Sequence, residues 1–188
     1  VVDWSSACRL PICLDVITSY VFSSPSCATG EIDADGLNIL AALPEYMSSY
    51  LNENYILTPH MKEMSRLTGN TVQELKEERG RILKKFVDDH HVNVALKDSR
   101  TLVNGPDQQM FFNTSGNAAM AKAGSGDVLA GVITGILAQG ASVYEAGVTG
   151  VFLHGLGGDM ARDMYGKYSV LAQDIITGVG KILKEIEE

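Results

Sequence analysis

The stretch Gly116-Asn117-Ala118-Ala119-Met120-Ala121-Lys122-Ala123-Gly124-Ser125-Gly126-Asp127-Val128-Leu129-Ala130-Gly131-Val132-Ile133 sets a glycine loop directly ahead of an apolar helical stripe. From Asp127 onward Val128, Leu129, Val132, Ile133, Ile136 and Leu137 recur in adjacent pairs four apart, which predicts one buried helix face ending before Gly140. Two glycines around Ser125 let the backbone turn tightly and bring amide N–H groups close to a ligand. With the positive end of the helix dipole they form an anion hole suited to a phosphoryl group. Asp127, in the first turn, is placed to accept the proton of a hydroxyl that attacks phosphorus. Taken alone, the same four residues read first as a turn with Asp127 as a plain N-cap, ahead of the functional reading. The Gly-Lys-Ser/Thr ending of a Walker A loop is missing, as is a Gly-x-Gly-x-x-Gly fingerprint.

Outward from this stretch, short β-like runs alternate with longer helical patterns, the mark of an α/β layered domain. Residues 31–36 read as a strand edge leading into a helix over 37–43, stopped by Pro44. Residues 55–58 form a strand halted by Pro59, followed by a helix from His60 or Met61 to Leu67 with Gly69 as its terminator. Residues 71–89 predict a long charged helix whose charges make a solvated face. Residues 92–96, 101–103 and 110–112 are strands, the last two joined by the turn Asn104-Gly105-Pro106-Asp107. Helices over 143–164 and 170–187 complete the chain, and the glycines of the first predict close helix packing. Residues 1–30 carry no sustained period.

The 188 residues suit one domain with a sizeable core, and 45% hydrophobic content with 20% charge is that of a globular protein. A net charge of -8 argues against a nucleic-acid partner, while backbone amides still allow a small anion. Cys8, Cys13 and Cys27 lack the paired spacing of a zinc site and point to a reducing, cytoplasmic setting. No apolar run is long enough for a membrane span. Residues 10–22 are broken by Asp15 and lack a preceding basic run, which argues against a signal peptide.

The whole of residues 116–133 closely resembles the signature of NAD(P)H-hydrate dehydratases, a branch of the ribokinase-like superfamily. The resemblance runs in the family's order through Asp33-Ala34-Asp35-Gly36-Leu37-Asn38, Leu57-Thr58-Pro59-His60 with Glu63 and Arg66-Leu67, and Leu96-Lys97. It continues through Val151-Phe152-Leu153-His154-Gly155 and Leu171-Ala172-Gln173-Asp174-Ile175. It implies a ribokinase-like three-layer α/β/α fold with a mostly parallel sheet. The implied reaction is phosphorylation, by ADP or ATP with Mg²⁺, of the hydroxyl of hydrated NADH or NADPH, followed by loss of phosphate. Carried over residue by residue, the resemblance implies Asp127 as the substrate-facing base and His60 and Glu63 as substrate contacts. Gly124, Ser125, Gly126 and Asn117 would hold the nucleotide phosphates. Residues Lys97, Asp98, Ser99, Arg100 and Thr101 occupy the place of a Lys-Gly-x-x-Thr segment lining the adenylate, with Asp98 standing where the family has glycine. No metal ligand is assigned.

From the residues alone, His60 reads as a helix-start or turn residue ahead of a ligand contact, and Asn117 as a turn former equally with a phosphate contact. His154 reads as a core histidine outside the site, and Asp159 and Asp174 as helix-face or N-terminal acids. The family's substantial N-terminal region finds no counterpart in residues 1–30, so the expected domain is residues 31–188 as a partial, N-terminally truncated unit. Two competing functions are a ribokinase-like kinase of another small alcohol and a non-catalytic nucleotide-binding fragment. A homo-oligomer is the default expectation.

Overall fold

The computed structural model describes residues 21–23 and 29–187. The readings of Cys8, Cys13 and Cys27, and most of residues 10–22, lie outside the described residues. Among the described residues six strands form one sheet in the order β1 (Val21–Ser23), β2 (Gly30–Ile32), β3 (Tyr55–Leu57), β4 (Asn93–Leu96), β5 (Leu102–Asn104) and β6 (Phe111–Phe112). The middle trio β2, β3 and β4 is parallel, while β1 on β2, and β5 and β6 beyond β4, pair antiparallel. The parallel character expected of the sheet therefore belongs to its centre, and the hairpin read at residues 104–107 makes one of its flanks.

Helices connect and cover these strands: α1 (Asp35–Ala42), α2 (Pro44–Tyr50), α3 (Met61–Thr68), α4 (Val72–His90), α5 (Ser125–Leu137), α6 (Val143–Tyr165) and α7 (Ala172–Glu187). Alternate strand side chains point to opposite faces, and here both faces are buried. Leu57, Val94, Leu96 and Leu102 pack under α1, α3 and α4 with Leu37, Met64, Leu83 and Phe86. Their neighbours Ile56, Ala95 and Val103 pack on the other side against Leu129, Ile133 and Val151 of α5 and α6. This is the three-layer arrangement that the family resemblance implies. A smaller cluster of Ala119, Ala161, Val170 and Ile175 seats α7.

Several helix ends follow from local chemistry. Thr71 and Ser142 form reciprocal capping boxes with Glu74 and Glu145, and Gly69 ends α3 in the left-handed region at φ 72°. Pro44 stops the helix before it, as its sequence predicts, and also begins the next one, since a proline at the first helical position loses no intrahelical hydrogen bond. β1 was not foreseen, because three residues are too few to show a period. α4 departs from helical geometry at Glu78 (φ -127°, ψ 26°), which kinks it one residue before Arg79.

Candidate active site

The carboxyl ends of the three parallel strands meet on one edge of the sheet, the edge at which α/β folds bind ligands. β2 runs into Asp33, β3 into Thr58-Pro59-His60 and β4 into Lys97. The Lys97 N–H donates to the Pro59 carbonyl at 2.7 Å, and His60 and Lys97 form a parallel bridge that extends the β3–β4 pairing to this edge. Lys97 Nζ lies 2.7 Å from Asp33 Oδ1, an ion pair between side chains that are 20% and 14% exposed. Both point at the start of α5: a Cβ placed on Gly126 would stand 3.6 Å from Lys97 Nζ and 3.8 Å from Asp33 Oδ2. The glycine loop, a cation and a carboxylate thus converge from three separate elements. Ala34, next to Asp33, holds φ 48°, a strained conformation for a residue with a side chain.

α5 starts at Ser125, two residues earlier than the reading from Asp127, and its N-cap is Gly124 at φ 85° with no side-chain cap bond. The plain N-cap reading of Asp127 is thereby corrected: it is the third residue of the helix, exposed, and without a hydrogen-bond or ion-pair partner among the described residues. An uncapped N-terminus leaves amide N–H groups directed outward, which is the arrangement that holds an anion. Gly124 needs its missing side chain for its left-handed φ, and a Cβ there would also approach Ala172 Cβ to 3.1 Å.

Beside this loop opens a cavity of about 730 Å³. It brings together Lys97, Asp98, Ser99, Arg100 and Thr101 with Asn117, Ser125 and Gly126. Gly124, Asp127, His60 and Glu63 are not part of its lining. Asn117 is tied back to α6: its amide donates to the Gly158 carbonyl at 3.0 Å and to Asp159 Oδ1 at 2.8 Å, and its carbonyl accepts from Ala119 N–H. Asp159 also accepts from the Gly116 N–H at 2.9 Å. Its expected role as a helix-face acid understates it, because it anchors the cavity's far loop. Asp174 accepts from the Leu171 N–H at the start of α7, as an N-terminal acid should.

His154 corrects the reading of a satisfied core histidine. It is half-buried on the cavity wall, its Nε2 is buried without a partner, and so is the nearby Ser125 hydroxyl. Burial lowers its imidazole to about 4, with Lys97 adding in the same direction against a bond to the Ser125 backbone, so the ring is neutral near pH 7. His60 is the N-cap of α3: its Nδ1 accepts from the Glu63 N–H at 3.0 Å while Glu63 Oε2 accepts from the His60 N–H at 2.7 Å. Its side chain is 51% exposed, so the capping role leaves the ring open to solvent.

Three residues that sequence reasoning did not place stand close to the site. Asp33 lay inside a recognised segment, but only the sheet shows its contact with Lys97. Glu31, two residues earlier, is fully buried and accepts a hydrogen bond from the Thr58 hydroxyl, with its second oxygen unpartnered. Burial, opposed by the Thr58 bond, lifts its carboxyl to about 7. Arg79, read as part of a solvated face, pairs with Asp98 at 3.0 Å.

A family model described as NAD(P)H-hydrate dehydratase matches residues 27–180. An ADP-dependent (S)-NAD(P)H-hydrate dehydratase of Neisseria meningitidis is 43% identical over 136 residues, which are 72% of this chain and 46% of that protein. Among solved structures, an ADP/ATP-dependent NAD(P)H-hydrate dehydratase from Bacillus subtilis, co-crystallised with ATP and Mg²⁺, superposes with a TM-score of 0.66 at 32% identity. The match covers 70% of this chain and 47% of that one. A ribokinase-like superfamily protein from Enterococcus faecalis superposes with a TM-score of 0.67 at 28% identity, covering 82% and 52%. The chain spans about half the length, or less, of the curated relatives it matches.

Proposed function

Since the chain belongs to the NAD(P)H-hydrate dehydratase family, we propose that it restores NADH and NADPH from their hydrated (S)-forms at the expense of ADP or ATP. The observation that carries this reading is the meeting of Gly126, Lys97 and Asp33 at the uncapped start of α5. Backbone amides of Gly124, Ser125 and Gly126 and the Lys97 ammonium stabilise the transferred phosphoryl group, and residues 97–101 with Asn117 hold the adenine nucleotide in the cavity. Asp127, exposed and unpartnered, takes the proton of the ring hydroxyl as that oxygen attacks phosphorus and the nucleotide oxygen leaves. Phosphate then departs from carbon with the ring nitrogen's electron pair driving it, and loss of a proton from the adjacent carbon restores the double bond. Hydroxide is a poor leaving group and phosphate a good one, which is why the nucleotide is needed. His60, whose ring is exposed, and Glu63, which is buried beneath it, are the substrate contacts at the start of α3.

Among the described residues no group of three or more His, Cys, Asp or Glu is arranged to hold a metal ion. Mg²⁺ would arrive with the nucleotide, and Asp33 or Asp127, the carboxylates beside the glycine loop, would be the residue that holds it. When bound, the ion withdraws charge from the phosphoryl group. The net charge of -8 supports a small-molecule rather than a nucleic-acid partner. No helix among the described residues is long and apolar enough to cross a membrane. We place the protein in the cytoplasm as a homo-oligomer, the second to be tested by light scattering.

The test is recovery of reduced-nicotinamide absorbance from the hydrates with Mg²⁺ and ADP or ATP. Asp127→Asn is expected to lower turnover by roughly 10²–10⁴-fold while leaving nucleotide binding in place. Folded protein that binds nucleotide but turns over a different alcohol, or none, refutes the reading.

A further inference from the structure

Asp98 sets a carboxylate on the wall of a cavity that, in the reading above, must receive a polyanion. The chain is already net acidic, so an uncompensated charge at this place opposes binding. The structure compensates it from outside the cavity. The Arg79 guanidinium donates through Nη1 to Asp98 Oδ2 at 3.0 Å and to the Arg100 carbonyl at 3.4 Å. Its carbon lies 5.5 Å over the Phe112 ring of β6. Arg100 in turn donates to the Thr114 carbonyl at 2.9 Å, which fastens the same loop to the segment leading into Gly116. Arg79 stands one residue past the kink of α4, and its side chain is only 24% exposed although it belongs to the helix's charged run.

We infer that Arg79 is a positioning residue for nucleotide binding: it neutralises Asp98 and fixes the loop of residues 97–101 so that the cavity accepts an adenine nucleotide. The inference rests on the nucleotide reading of the cavity. A lysine would cover the charge but lacks the planar guanidinium that lies on the Phe112 ring while Nη1 reaches both the carboxylate and the carbonyl. Asp127, on another element, is untouched, so the effect belongs to nucleotide affinity and KM rather than to kcat.

Calorimetric titration of ADP and ATP with Mg²⁺, at low and high salt, tests this. Arg79→Gln is expected to weaken nucleotide binding by about three- to tenfold at low ionic strength, with the defect shrinking as salt screens the exposed Asp98 charge. Asp98→Gly in the Arg79→Gln background is expected to restore affinity, because it removes the charge that Arg79 had covered. A merely structural arginine would not be rescued by that second change. Thermal unfolding of each variant identifies misfolding; if Arg79→Gln does not fold, Asp98→Gly alone must bind at least as tightly as wild type. Failure of the wild type to bind either nucleotide overturns the nucleotide reading and this inference together. Wild-type binding with an unaffected Arg79→Gln, an unrescued double variant, or weakened binding by Asp98→Gly overturns the inference alone.

Discussion

Replacing Glu31 by glutamine removes a carboxyl that the fold holds fully buried beneath the carboxyl edge of the sheet. Burial raises this group from an ordinary 4.5 to about 7; the Thr58 hydrogen bond opposes the rise, Asp33 adds to it and Lys97 opposes it. Between those pH values the unfolded chain has released the proton while the folded chain still holds it. Folding is therefore favoured fully below 4.5, and that contribution is lost as pH rises towards 7. At roughly 1.4 kcal/mol per pH unit, the whole window corresponds to about 3 kcal/mol. His154 acts in the opposite sense: its imidazole, lowered to about 4, contributes stability at neutral pH that is lost as pH falls from 6.5. The two oppose each other over much of the same range, so the raw stability profile hides both. Urea unfolding of wild type and Glu31→Gln in parallel from pH 5 to pH 8 isolates the carboxyl. The stability difference should move in favour of the variant by about 2 kcal/mol or more as pH rises. Parallel profiles would refute the argument and mean that Glu31 ionises at an ordinary pH in the folded protein.

Two further perturbations probe packing and caps. A Cβ on Gly178 of α7 would fall inside the van der Waals envelope of the Gly157 carbonyl of α6. Gly178→Ala is accordingly expected to cost about 1–3 kcal/mol by forcing the helices apart, and an unchanged melting temperature would contradict it. Thr71→Ala and His60→Ala each remove an N-cap and are expected to cost about 1 kcal/mol in denaturant unfolding. If His60 also contacts the substrate, only His60→Ala raises KM for the hydrate, and equal kinetics for the two variants would confine His60 to capping.

Periodicity and punctuation are local, and what depends on them was legible in the chain. The stripe from Val128 to Leu137, the charged helical run of residues 71–89, Gly69 as a terminator and the Asn104-Gly105 turn each predict an element that the structure contains. The alternation of strand and helix patterns determined the layered α/β class, because both sheet faces must be covered by the helices between the strands. What the chain did not disclose is which distant residues meet. Asp33 and Lys97 are 64 positions apart and touch only because β2 and β4 flank β3 in register. Arg79 looked like one charge among many until the kink at Glu78 and the path of residues 97–101 turned it inward. His154 reads as core because its neighbours in sequence are apolar, whereas the fold sets it on the cavity wall beside Ser125 and Lys97 of other elements. The sequence by itself determined most of the elements, the α/β layering and the position of the glycine loop, while β1 and α2 were too short to show a period. The tertiary structure alone decided the charge pairs, the cavity and the pKa shifts, since these depend on distances between segments that no local pattern encodes.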